Sequence, residues 1–257
     1  MKLKYVLISL IFLSFINIIG VNAQGYKIKT IVVDAGHGGV KPGAKGKYSY
    51  EKNVALQVAL KLGKKLEEEL PTIKIIQTRK TDVDVDWYRR AEIANDAKAD
   101  LFISIHCNSM PKGNNYTKGT ETFVGAYRRI NEMDAGLKEN EDIINDKDFK
   151  KKGTYDPTDP EELIMLSLYK SLYRTKSLAL AKMVQKNYTD VNKRVNRGVK
   201  EQGLLILQRA AMPSILTEIG FISNPAEEDY INSAKGQEEI VNAIVNAIKQ
   251  YKKEIEN

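Results

Sequence analysis

Histidine and cysteine are nearly absent from this chain: 257 residues contain two of the first and one of the second. The single cysteine, Cys107, excludes an intramolecular disulfide. Any imidazole chemistry must run through His37 and His106. After the first residues no apolar run approaches the length of a bilayer span, so no stable membrane anchor is expected in the mature protein. Internal repeats and appended modules are also missing. The chain has no aromatic-interleaved basic stripe, which argues against nucleic acid as a partner.

The N-terminus reads as a targeting segment. Lys2 and Lys4 precede an apolar stretch from Tyr5 to Ile19, and Val21-Asn22-Ala23 supplies small residues before Gln24. This is the layout of a signal peptide spanning 1–23, with an uncleaved anchor as the alternative. An exported product of residues 24–257 is expected, in the periplasm or elsewhere in the cell envelope or extracellular space. Losing Lys2 and Lys4 lowers the formal charge from +7 to +5. A mildly basic exported protein suits a polyanionic envelope polymer, although spread lysines also make an ordinary solvated surface.

Apolar runs and helical periodicities alternate along the remainder. Strands are expected at Thr30–Asp34, Ile73–Gln77, Leu101–Ile105, Thr120–Val124, Leu204–Leu207 and Ile215–Thr217. Helices are expected at Lys52–Leu70, from an Asp86 cap to Ala97, at Ser177–Tyr188 and at Glu238–Ile255. Such alternation predicts one α/β domain, a mostly parallel central sheet of about six strands with helices on both faces. Residues 126–173 break the rhythm with charged, helix-like runs around a lysine- and turn-rich middle. We read them as an inserted helical segment.

Both histidines fall where a strand gives way to a loop, where open α/β sheets place their active sites. His37 follows Ile31-Val32-Val33, and His106 follows Leu101-Phe102-Ile103. A catalytic zinc takes three protein ligands and keeps one position open. The two imidazoles can supply two ligands, and Glu51, opening the first long helix, is a candidate third. It could equally be a first-turn acid complementing the helix dipole. Glu218 closes the last strand; a carboxylate there is either exposed at the loop mouth or buried near a partner or metal. By period-two alternation Cys107 points away from His106 and reads as a small core residue, with ligand or nucleophile as the other reading.

Taken in order, the motifs resemble the zinc-dependent N-acetylmuramoyl-L-alanine amidases of the amidase-3 type. The resemblance is carried by Val33-Asp34-Ala35-Gly36-His37-Gly38-Gly39, Glu51-Lys52-Asn53-Val54, and Thr78-Arg79 with Asp82. It continues through Arg90 with Ala94-Asn95, the run 99–108, Gly119-Thr120-Glu121-Thr122, Arg197-Gly198-Val199-Lys200 and the run 218–224. The resemblance implies Zn2+ held by His37, Glu51 and His106, with Glu218 as the catalytic carboxylate. It also implies peptidoglycan as substrate, cut between N-acetylmuramic acid and L-alanine. Asn108, beside His106, is a candidate substrate contact. Asp34, Arg79, Asp82 and Arg90 also match family positions and read as structural polar pairs.

Related amidases of division are held off by an inserted helix over the zinc cleft. By that resemblance the 126–173 insertion is a candidate regulatory lid, with Glu139 or Glu141 as a plug and an activator protein that lifts it. A substrate-binding lid or a solvated acidic helix are the alternatives. The argument assumes that Thr120–Val124 runs parallel to its neighbours and ends near the histidines.

Overall fold

A computed structural model describes residues 26–126, apart from 112 and 114, and residues 160–257. The expected signal peptide, the helix-like run Arg128–Asp146, Glu139 and Glu141 lie outside the described residues. Six strands form one sheet: β1 (Thr30–Ala35), β2 (Lys74–Gln77), β3 (Leu101–Asn108), β4 (Thr120–Gly125), β5 (Asn196–Gln202) and β6 (Ser214–Phe221). Their spatial order is β2-β1-β3-β6-β4-β5. The first four of that order are mutually parallel.

Alternate residues of each strand feed two cores. Ile31, Val33, Ile103, Ile105 and Ile215 face the long helices α1 (Glu51–Glu69), α3 (Pro160–Asp190) and α6 (Ala234–Glu256). In α6 the i+4 stripe Ile240, Ile244 and Ile248 is fully buried, and each such side chain contributes about 2 kcal/mol. Val32, Phe102, Phe123 and Leu216 face the other way. They meet α2 (Trp87–Asp96) and the short helix α4 (Leu205–Gln208). Helices therefore cover both faces, as expected.

One strand direction differs from the expectation, with consequences for function. β4 pairs antiparallel with β6 and parallel with β5, so β4 and β5 run against the other four strands. The reason is the connection. Only residues 109–119 separate β3 from β4, and none of those described is helical. Without a helical crossover, the chain re-enters the sheet from the edge it has just left, which produces an antiparallel strand. β4 therefore ends at the edge opposite His37 and His106. The return helix α3 passes that same far edge, where Ser177 Oγ accepts from the N–H of Ser214 at 3.0 Å. The described chain on both sides of residues 127–159, the end of β4 and helix α3, thus passes the edge away from the histidines.

Three smaller differences follow from local chemistry. Leu204–Leu207 has the apolar pattern expected of a strand, but the run belongs to the turn and helix α4, its side chains buried against Phe123 and Leu216. The strand is the preceding Asn196–Gln202, an edge strand too polar to read as one. The helix α5 (Pro225–Asn232) is an addition to the expected elements; Asn224 caps it by accepting from Ala226 and Glu227 N–H, and Pro225 opens it. Asp86 occupies the N-cap position of α2 but accepts from the Tyr88 hydroxyl at 2.9 Å instead of a backbone N–H.

Candidate metal centre and active site

The site lies at the C-terminal ends of β1, β3 and β6. β1 delivers the chain into the loop carrying His37, whose own backbone is left-handed at φ 55°. Two buried arginines hold this loop. Arg79 donates to the carbonyls of Ala35, Gly36 and Lys52 at 2.9, 2.8 and 2.7 Å. Arg90 donates to the carbonyl of His37 at 2.6 Å and to Asp34 Oδ1 at 2.9 Å. Asp34 also accepts from the Thr78 and Ser104 hydroxyls at 2.5 and 2.6 Å. Burial alone would raise its pKa, but Arg90 and the hydroxyls hold it below the usual range. Asp82 accepts from the N–H of Gly39 and from Lys52 Nζ. These four polar residues therefore act as scaffold, holding the loop that carries His37.

Glu51 is the first residue of α1 and is 1% exposed, so it is not a solvated first-turn acid. It reaches across both histidines. Its Oε2 lies 3.2 Å from His37 Nε2 and accepts from the N–H of Ala44 at 2.8 Å. Its Oε1 lies 2.9 Å from His106 Nδ1 and accepts from the N–H of Cys107 at 3.0 Å. Burial pushes this carboxyl up, and the two imidazoles outweigh it, holding the pKa well below the ordinary value.

Two glycines make room for this packing. A Cβ on Gly36 would fall 2.3 Å from His106 Cε1. Gly43 has φ +67°, and a Cβ there would fall 2.6 Å from both Glu51 Oε2 and His37 Cδ2.

One donor atom each from His37, Glu51 and His106 lies within 4.8 Å of the others, and this is the one such group among the described residues. An ion with bonds of about 2 Å needs donors about 3–4 Å apart, so two imidazoles and a carboxylate within 4.8 Å would need to draw in by about an ångström, and their chemistry is that of a zinc donor set. Cys107, 1% exposed, sits in the core with Ile103 and Ile105 and points away, as alternation predicts.

Glu218 pairs in register with His106 across the parallel β3–β6 ladder and is 2% exposed. It is therefore buried beside the donor set, not exposed at the loop mouth. On the other side Glu218 pairs with Glu121 of β4. Sequence reasoning notes the motif around Glu121 without singling out the residue itself. It is buried and accepts from Arg197 Nε at 2.6 Å, lies 3.1 Å from Lys200 Nζ, and accepts from Asn108 Nδ2 at 3.2 Å. Asn108, the candidate substrate contact, is half-buried at the same edge. His37, Glu51, His106, Asn108 and Glu218 are brought together.

Residues 31–250 match the family model described as N-acetylmuramoyl-L-alanine amidase, the amidase-3 type. N-acetylmuramoyl-L-alanine amidase AmiC of Escherichia coli O6:H1 is 32% identical over 230 residues, covering 86% of this chain and 52% of that relative. This chain thus spans about half of that relative's length. A solved N-acetylmuramoyl-L-alanine amidase from Clostridium difficile superposes with a TM-score of 0.66 at 28% identity, covering 88% of this chain and 97% of the other. The CwlD amidase from Clostridioides difficile, solved in complex with the GerS lipoprotein, gives a TM-score of 0.62 at 26% identity and covers 87% and 98%. The fold and the ordered site motifs define a class of α/β domains that gather a His–Glu–His group at the ends of their parallel strands. The chain belongs to the amidase-3 family of N-acetylmuramoyl-L-alanine amidases.

Proposed function

We propose that this protein hydrolyses the amide between the lactyl group of N-acetylmuramic acid and L-alanine in peptidoglycan, releasing stem peptides. The observation that carries the reading is the register pairing of His106 with Glu218, beside Glu51 and His37. His37, Glu51 and His106 would hold zinc. Held there, the ion would supply Lewis acidity toward the scissile carbonyl and would lower the pKa of water toward about 7. Glu218 takes the proton from the attacking water and delivers it to the departing amine of L-alanine. An amine leaves poorly without that proton, so a buried carboxylate beside the metal donors is the group this chemistry requires. The family match and the relatives named above support the substrate.

The proposal includes export, supported by the residue pattern of 1–23 and by the cell-wall substrate. No described helix is long and apolar enough to cross a membrane. It also includes an activator protein, supported by the solved complex of CwlD with GerS. If the 126–173 segment is a lid with Glu139 or Glu141 as the plug, it must fold back over the sheet from the far edge. In that case Glu139→Ala or Glu141→Ala raises basal turnover on sacculi.

The experiment is digestion of intact sacculi followed by analysis of new ends. Free L-alanine amino termini without new reducing sugars support the amidase reading. New glycosidic ends, or cuts between stem-peptide residues, overturn it.

A further inference from the structure

We propose that Arg197, assisted by Lys200, forms a carboxylate-binding subsite beside Glu218 that takes the free carboxylate of the second stem-peptide residue. The inference rests on the amidase reading and specifies what that site recognises beyond the bond it cuts.

The subsite is built by an irregularity in the sheet. Thr120 pairs with Asn196 and Thr122 with Val199, so Arg197 and Gly198 together oppose the single residue Glu121. Such a bulge re-aims a side chain, and Gly198 supports it with φ +91°. Arg197 turns onto the row that holds His106, Glu218 and Glu121. Its Nε donates to Glu121 Oε1 at 2.6 Å, and its guanidinium lies 5.0 Å from the centroid of the Phe221 ring.

Both contacts fix the plane of the guanidinium and leave its outer edge open. Among the described residues, neither Nη of Arg197 has a hydrogen-bond acceptor, and its side chain is 35% exposed. An oriented fork of two N–H groups is the geometry that binds a carboxylate bidentately. Charge points the same way. Glu121 brings one negative charge and faces two cations, Arg197 and Lys200. Glu218 beside it is a second buried carboxylate, so the four charges balance, but both carboxylates are buried while the two cations lie toward the rim, 35% and 41% exposed, and present the positive side outward.

The span fits the substrate. Glu218 and Arg197 stand two strands apart, about 10 Å between backbones. The arginine side chain reaches back to Glu121, one strand from Glu218. On the substrate, the amine that Glu218 protonates belongs to L-alanine, and the α-carboxyl of the second residue lies about 6 Å from it along an extended peptide. That residue is a glutamate joined through its side-chain carboxyl, and its α-carboxyl is either free or capped as an amide. The muramyl carboxyl is itself consumed in the scissile amide. The nearest carboxylate therefore lies on the leaving side.

The test uses the zinc-loaded full mature chain and two muramyl peptides, both amidated at the C-terminus. They differ only in carrying a free α-carboxylate or a primary amide on the second residue. For the wild type we expect kcat/KM about tenfold higher for the carboxylate, expressed mainly in KM. In R197Q the ratio falls to within about twofold, and R197K retains part of it. Equal cleavage of both substrates by the wild type overturns the proposal, as does a folded R197Q that keeps the wild-type ratio. The wild-type comparison stands even if R197Q fails to fold. Cleavage of neither substrate would instead sink the amidase reading, and this inference with it.

Discussion

His106 and Glu218 stand directly opposite each other on adjacent parallel strands, so an imidazole of the His37–Glu51–His106 group and a buried carboxylate share one sheet face. Their backbones are about 4.8 Å apart. Both sit on rigid strands and not on loops, so their separation does not depend on ligand-induced ordering.

This pairing predicts separable roles for the two side chains. Glu218→Gln preserves shape and removes the proton acceptor. We expect zinc content to be retained and turnover to fall by about a hundredfold or more. Metal analysis alongside kinetics on sacculi checks this, and near-normal turnover in a folded variant removes Glu218 from the mechanism.

Glu51 is expected to behave in the opposite way, because it touches both imidazoles. Glu51→Ala should lower zinc affinity, and turnover should fall with occupancy. Chelation of the wild type should abolish activity, and added zinc should restore it. A stoichiometric zinc site surviving in Glu51→Ala takes this residue off the ligand set.

Gly36→Ala tests how closely the loop is fitted to the second histidine. The added methyl would lie 2.3 Å from the His106 ring, so the ring must move. Zinc affinity should drop by at least about tenfold while the far-UV circular dichroism stays unchanged. Wild-type affinity in this variant contradicts the described packing.

Asp34 links the site scaffold to pH. Its folded pKa is depressed, so the stabilisation it confers is fully present above the unfolded value of about 3.9. That contribution fades as pH falls toward and through the lower folded pKa. Asp34→Asn should lose about 3 kcal/mol at pH 7, because Arg90 is left buried without its counter-charge. The gap to the wild type should narrow below about pH 4. Urea unfolding at both pH values measures it, and a gap that widens on acidification contradicts the assignment.

Several features of the site are legible in the sequence. Two histidines at strand ends, an acid at a helix start and an acid at a strand end can be read from local pattern, because strand termini carry abrupt changes from apolar to polar and glycine. Sequence position alone leaves Glu51 open between a buried role and a solvated first-turn acid. Its 1% exposure and its contacts with both imidazoles decide for the buried role.

The direction of β4 is not legible, since a six-residue strand has the same alternation of side chains in either orientation. The strand β5 is hidden because an edge strand needs no continuous apolar run. Leu204–Leu207 misleads because a short apolar run serves a buried turn and helix as well as a strand.

What the sequence determined by itself is the inventory: which side chains can ligate, which can carry a proton, and where the long helices and inner strands bury their apolar stripes. These follow from short-range spacing. Tertiary structure alone decided which of them meet. The register of β3 on β6 puts His106 opposite Glu218, and the bulge of β5 on β4 brings Arg197 to Glu121. The reversal of β4 puts its last residue, Gly125, at the sheet edge opposite the histidines. Registers and strand directions are set by connections and packing between segments far apart in the chain, and no local pattern encodes them.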